Sequence, residues 1–434
     1  MPRPRRRATC TLVLRADRAA RRGGCMRIVC LSPVVPYDGI PHAGGQYLLR
    51  HLRTLRELGH RVTVVSFDDR DNRAAADHLV DAVDVVLVPA SRPRRPFARR
   101  LVEGIERQEQ RLFPVRPVAR RRRALRRSRA ARAVLAAADV IEYQWTESGW
   151  FGVRRRPTGA PRRIVVAHDV LLQSYERFLA AAPGPPWHPR VLLARWRRWS
   201  VHRDERRVYR RADAVLTFSA KDAALVHRAA GAPVRAVVVR PPLADGVESC
   251  VRGGDPAPTV LFVGAFDRSV NSEAAVWTMT DIAPWVLEVN PSVRFVFAGA
   301  RPTDEMRRIA ATRPGAFVVT GRLESLDVAY AEADVVLVPL RAGAGVKFKT
   351  VEAMLRGIPV VSTGVGIEGI VGDGIRAYAV ADDARGLAAA IVRALADPVG
   401  ARRDAARSRD AVADEFSGAA FRRALTDVYG GPTP

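Results

Sequence analysis

The sequence predicts an α/β protein built from two Rossmann-like domains, each a doubly wound parallel sheet, facing one another across a cleft. Three observations predict it. Short apolar runs alternate with amphipathic stretches through most of the 434 residues. The runs are continuously hydrophobic, which is how a parallel strand covered on both faces reads. A break rich in proline and glycine, Pro241–Pro258, divides the series in two. A chain of this length also exceeds one ordinary core, and two domains of about 200 residues are the default.

In order, the first series of strands is Arg27–Ser32, Arg61–Phe67, Asp84–Val88, Asp139–Tyr143, Arg163–Ala167, Ala214–Phe218 and Ala236–Val239. The second is Thr259–Val263, Val293–Ala298, Phe317–Thr320, Asp334–Val338, Pro359–Ser362 and Ala377–Val380. Between them lie helical patterns: Gly45–Leu58, with Leu48, Leu52 and Leu55 on one stripe, then Ser272–Val289 and Ala384–Leu395. Repeated strand–helix–strand units specify parallel sheets. The expected boundaries are a basic extension or over-called start at 1–25, domains at 26–245 and 257–410, a linker at 246–256, and a terminal helix at 411–434 returning to the first domain.

Composition narrows the class. Hydrophobic residues make up 48% of the chain, which suits a globular protein. No run approaches the roughly 20 apolar residues of a membrane span, and the arginine-rich first 25 residues lack a secretory core. Cys10, Cys25, Cys30 and Cys250 are scattered without CxxC spacing, as in a reducing compartment, so a cytoplasmic location is expected. The net charge of +26 is concentrated: Arg92–Arg132 holds sixteen Arg against three Glu. Such a block either stays solvated or draws the chain to an anionic membrane surface, peripherally at its inner face. Few aromatics accompany it (Phe97, Phe113), so no nucleic-acid partner is expected.

The most informative segment is PLRAGAGVKFKTVEAMLRGIPVVSTGVGIEG, residues 339–369. A strand ends in the glycine-rich turn Arg341–Gly345, and a helix starts near Lys349 with free N–H groups and a positive dipole end. Gly343, Ala344 and Gly345 let an anion approach the backbone. Lys347 and Lys349 add charge for a diphosphate, and Glu352 is placed to accept hydrogen bonds from ribose hydroxyls. Spacing alone also admits a plain strand–loop–helix with surface lysines. Asp69-Arg70-Asp71 has the D-x-D form of a metal ligand pair but sits in a polar loop, where acids are frequent by chance; no metal and no cofactor are expected.

This segment resembles the donor-binding motif of the GT-B glycosyltransferases, in the GT4 family, in a subgroup reading G-x-G-x-[RK]-x-K-x-x-E-A. Gly343, Gly345, Lys347, Lys349, Glu352 and Ala353 fit it position for position. Phe262-Val263-Gly264 with Asn271 and Trp277, Gly366-Ile367-Glu368-Gly369, Gly44-Gly45, Gly59-His60-Arg61-Val62 and His168-Asp169 extend the likeness over nearly the whole chain. The resemblance implies a nucleotide-sugar co-substrate, retention of anomeric configuration without a metal, and transfer to an acceptor that is lipid-linked, polysaccharide or natural-product in kind. By the same resemblance, Gly44, Gly45, Asn271 and Arg341 join the motif in binding donor. His168 faces the reacting sugar as the catalytic candidate, and Tyr143, Gln144 and Trp145 form the acceptor side. The sequence departs from the family at Ala344, where many members carry a first glutamate, and at Ala265 and Val270, where an Arg and a Lys are widespread; Lys347 and Lys349 are expected to supply the missing charge. Two alternatives remain open: a GT-B nucleotide-sugar 2-epimerase, and a non-catalytic nucleic-acid-binding protein using the arginine block.

Overall fold

The computed structural model describes residues 24–40, 42–78, 83–93, 95–153, 159–181, 185–247, 257–372 and 374–430. The basic extension up to residue 23 and most of the linker, 248–256, lie outside the described residues.

The fold class read from the sequence is the one found. The first sheet holds seven strands: β1 Arg27–Leu31, β2 Arg61–Phe67, β3 Asp84–Val88, β4 Val140–Gln144, β5 Arg162–Ala167, β6 Ala214–Thr217 and β7 Ala236–Val238, in the order β3-β2-β1-β4-β5-β6-β7. The second holds six: β8 Thr259–Val263, β9 Arg294–Ala298, β10 Phe317–Gly321, β11 Val335–Val338, β12 Val360–Ser362 and β13 Ala379–Val380, in the order β10-β9-β8-β11-β12-β13. All pairings between these strands are parallel. Each apolar run became a strand, with ends moved by at most two residues. Helices cover both faces, so a run such as TVLFV is buried at every position and its β-branched side chains pack on the pleat.

The strand order decides where a ligand can sit. In each sheet the winding reverses once, between β1 and β4 and between β8 and β11. Loops leaving the carboxyl ends of such neighbouring strands diverge and open a crevice. Four of the motif-bearing segments follow the strands at these reversals: 32–40 with 42–45, and 145–149, in the first domain, and 264–271 and 339–347 in the second.

Two helices differ from the sequence reading. The pattern Ser272–Val289 is not one α-helix but Ser269–Trp277, a wide π turn Thr278–Ile282, and Ala283–Val289. Pro284 lacks an N–H and its ring crowds the preceding turn, so the hydrogen-bond ladder is interrupted just before it. At the other end, helix Pro398–Glu415 runs through residue 411 and stops at Phe416, whose carbonyl accepts the N–H groups of Leu243 and Ala244 at 2.9 and 3.0 Å. Ser417 then caps helix Gly418–Tyr429. That helix buries Phe421, Leu425, Val428 and Tyr429 in the core of the first domain beside Ile28, Leu48 and Val62. Among the described residues, no helix is long and apolar enough to cross a membrane.

Candidate active site between the two domains

On the second-domain side, Gly343 and Gly345 adopt left-handed backbone angles, φ +114° and +72°. At Gly345 a Cβ would stand 2.8 Å from the carbonyl oxygen of His168, so only glycine lets this turn lie against the end of β5. Helix Phe348–Leu355 follows. Lys349 Nζ donates to Asn271 Oδ1 at 2.9 Å and stands over the Phe262 ring, 4.7 Å from its centroid. Asn271 is itself anchored by donating to the Ala265 carbonyl at 2.8 Å. Lys347 Nζ donates to the Gly345 carbonyl at 2.6 Å. Burial first, then the charges of Arg268 and Lys347, lowers the Lys349 ammonium to about 7. Burial lowers Lys347 to about 8 against the opposing pull of Glu368. Glu352 accepts a hydrogen bond from the buried Tyr330 hydroxyl at 3.2 Å, while the exposed Arg341 stacks on Trp277, 4.7 Å from the ring centroid.

Arg268 is the residue that sequence reasoning missed. It heads helix Ser269–Trp277 directly after β8. Its charge acts on His42 and Asp169 of the first domain and on Lys349 of the second, so it lies where the domains meet. Ala265 and Val270 carry no charge, but a loop of this length presents a guanidinium from an intervening position. Any basic residue within 264–271 was the signal to weigh.

On the first-domain side, helix Ala43–Glu57 starts at the end of the β1 loop, and His42 Nδ1 caps it by accepting the Gly45 N–H at 3.0 Å. Gly44 lies against the site wall: a Cβ there would meet the Trp145 ring at 2.8 Å and His168 Nδ1 at 3.4 Å. The His168 ring stacks on Trp145 with centroids 4.0 Å apart, and Tyr47 and Phe218 meet it edge-on. Its Nε2 is 2.9 Å from Gln144 Oε1. Burial, then the positive fields of His51 and His42, depress its pKa to about 3. A neutral ring must therefore donate Nε2–H to Gln144, leaving Nδ1 as an acceptor toward Gly44.

Trp145 has φ +65°, a strained angle for a residue with a side chain, which turns its indole onto His168. It also lines a cavity of about 400 Å³ with Ser32, Phe67, Arg121, Glu147 and Phe151. Burial and the neighbouring Asp169 raise the Glu147 carboxyl to about 7. Of the other two acceptor-side candidates, Tyr143 packs in the core against Gly152, and Gln144 is buried between His168 and Glu142. Asp69 accepts the N–H of Asn72 at 2.9 Å, the pattern of a helix cap.

The halves are clasped across the cleft by Glu368. Its carboxylate accepts two hydrogen bonds from Arg177, at 2.6 and 2.9 Å, one from Gln173 at 2.8 Å, and pairs with Lys221 at 2.9 Å. Arg177 also donates to the Gly343 carbonyl at 2.5 Å. Burial works to raise the Glu368 pKa, but the hydrogen bonds from Arg177 and Lys221 hold it down at about 2.

Comparison with known proteins agrees with this architecture. The family described as "Glycosyl transferases group 1" matches residues 257–397, and that described as "Glycosyl transferase 4-like domain" matches 43–242. Together they span both sheets, and the chain belongs to the group 1 glycosyltransferases, on the two-domain GT-B fold. Among solved structures, the chain is similar to sucrose-phosphate synthase from Thermosynechococcus elongatus, with TM-score 0.67, 19% identity, and 93% of this chain and 98% of that one covered. Anabaena HepE in complex with UDP gives TM-score 0.62 and 14% identity over 93% of this chain and 100% of that one. A Klebsiella pneumoniae relative, an uncharacterized 44.6 kDa protein in the cps region, is 29% identical over 116 residues, 25% of this chain. The chain spans 30% of that relative's length.

Proposed function

We propose that this protein transfers a sugar from a nucleotide-sugar donor, held by the second domain, to a hydroxyl of an acceptor seated in the Trp145–Glu147 cavity of the first. One observation carries the reading: Lys347, Lys349 and Arg268 converge at the N-terminus of helix Phe348–Leu355, with Glu352 one turn further on. Clustered cations at a helix start bind a diphosphate, and the acid beyond them binds ribose. Anabaena HepE, solved with UDP, with UDP and glucose, and with UDP-glucose, makes uridine the first base to test. The reading includes the motif subgroup named above and retention of configuration. Positioning and charge, acting on the departing diphosphate and the oxocarbenium-like carbon, supply the rate. Neutral His168 serves as a hydrogen-bond acceptor beside the sugar and not as a proton donor.

The test is calorimetric titration with UDP, GDP, ADP and TDP, followed by turnover of the matching nucleotide sugar in EDTA. Turnover unchanged by EDTA is expected, because the lysines and the helix start neutralise the diphosphate. Activity lost on chelation and restored by Mn²⁺ or Mg²⁺ overturns the metal-free reading, and no binding of any diphosphate overturns the donor site itself.

Diphosphate affinity is also expected to fall as pH rises. The phosphate-binding form of each lysine is the protonated one, and the empty-site values are about 8 for Lys347 and about 7 for Lys349. An anion raises both, so binding takes up protons. Between pH 6.5 and 9 the terminal phosphate is largely ionised already, with its second pKa near about 6, so the lysines set the slope. We expect a loss of about tenfold across that range, the size of one charge-assisted hydrogen bond. Lys349→Ala should flatten the profile, and an equally steep profile in that variant disproves the assignment.

A further inference from the structure

We propose that one face of the first domain, formed by helices Pro96–Leu112 and Pro189–Tyr209, docks on an anionic lipid bilayer by inserting apolar side chains between basic ones. This inference stands apart from the donor-site reading.

On the first helix, Phe97, Leu101 and Ile105 recur every four residues, so they form one stripe, and they are 81%, 56% and 58% exposed. On the second, Leu192, Trp196 and Trp199 are exposed as well. The two helices share one surface: Trp196 Nε1–H donates to the Leu112 carbonyl at 3.1 Å, Arg197 donates to the Arg111 carbonyl at 2.6 Å, and the Phe113 and Trp196 rings lie 5.9 Å apart. A helix on a water-facing surface normally turns such a stripe inward, and a contiguous exposed apolar patch marks an interaction site.

The charges are sorted too. Glu103 pairs with Arg92 and Arg99, Glu106 with Arg92 and Arg120, and Glu109 with Arg122. Asp204, the first acid of the second helix, is buried against Arg116 and Arg203. Glu205, the other acid of that helix, is turned into the core, where it accepts the N–H groups of Leu171 and Leu172 and the Tyr209 hydroxyl. The acids of the two helices are thus paired with basic neighbours or buried, while Arg100, Arg107, Arg111 and Arg195 are exposed beside the apolar stripe. The arginine block at 92–132 is therefore not one uniform surface: part of it is internal pairing, and only the outer helix faces are available to a partner.

Apolar side chains interleaved with arginine match the headgroup boundary of an anionic membrane. A nucleic acid rewards the arginines but not exposed Phe, Leu and Ile. A second copy about a two-fold axis would set arginine against arginine. The face also ends at the acceptor side, because Gln110 of the first helix and Pro114 just beyond it line the Trp145 cavity. Docking therefore holds that cavity at the bilayer surface.

The test is co-sedimentation of the full chain with phosphatidylcholine vesicles, with and without phosphatidylglycerol, at low and high salt. The wild type should sediment only with the anionic vesicles. The triple variant Phe97→Ser, Leu101→Ser, Ile105→Ser should lose at least about tenfold in partition at either salt. The triple variant Arg100→Ala, Arg107→Ala, Arg111→Ala should lose about as much at low salt and less at high salt, where charge is screened. These side chains are exposed, so melting temperature and nucleotide binding should not change. Wild-type tryptophan emission should be quenched by brominated-acyl lipid, and that quenching should fall in Trp196→Phe, Trp199→Phe; this readout does not depend on the serine variant folding. Equal partition of the serine variant and wild type overturns the proposal. So does RNA binding tighter than vesicle binding, or conversion of a dimer to a monomer by the serine substitutions.

Discussion

Arg268→Ala together with Lys349→Ala is expected to weaken nucleoside diphosphate binding by at least about a hundredfold, each lost charge-assisted contact being worth about 1.5–3 kcal/mol. The free nucleoside should bind both forms within about twofold, because uncharged ribose and base give the cations little to act on. Glu352→Ala should show the opposite pattern, with nucleoside and diphosphate losing alike, since both carry the ribose hydroxyls. Titration calorimetry on the three proteins separates the roles. Should Arg268→Ala alone leave the diphosphate constant unchanged, the guanidinium belongs to the surface of the second domain and not to the donor site.

Glu142→Ala should cost about 3–5 kcal/mol of stability, because it leaves several buried polar groups without the carboxylate they share. The Glu142 carboxylate is fully buried and faces His51 Nε2 at 2.9 Å, the Tyr429 hydroxyl, the Gln144 amide and, at 3.7 Å, the Cys30 thiol. Burial pushes its pKa up, but the field and hydrogen bond of His51, with the hydrogen bonds of Tyr429 and Gln144, hold it below the ordinary value. A depressed folded pKa stabilises above the unfolded value, near about 4.3, and that contribution is lost as pH falls through the folded one. Removing the carboxylate leaves His51, Tyr429 and Gln144 facing a gap. Gln144 then loses the partner that orients it toward His168, so kcat should fall with stability. Urea unfolding monitored by tryptophan emission measures the first effect, and a loss under about 1 kcal/mol would show that the cluster relaxes around the gap.

This cluster also shows why part of the site could not be read from the chain. Glu142 and Tyr429 are 287 residues apart, and Arg177 meets Glu368 across 191. No local pattern in either segment points to the other. Tyr143, Gln144 and Trp145 are adjacent in sequence, yet the first enters the core, the second a buried polar chain and only the third the cavity. Strand alternation separates the first two, and the left-handed backbone at Trp145 redirects the third. The arginine block shows the same limit, since its net charge was legible and the division between inward pairs and outward arginines was not.

What the sequence determined by itself were the features encoded within short contiguous windows. Strands buried on both faces announce themselves as apolar runs, because every side chain must leave water. The donor turn was legible for a related reason: glycines, lysines and an acid on one loop and one helical turn carry their relative geometry with them. Tertiary structure alone decided which loops meet at the cleft, and hence that the charge of Arg268 acts on Lys349 and Asp169, that Gly345 rests on His168, and that Glu368 is clasped by Arg177 and Lys221. Those contacts depend on how two separately wound sheets dock, which is set by burial and charge summed over the whole interface and not by any segment of the chain.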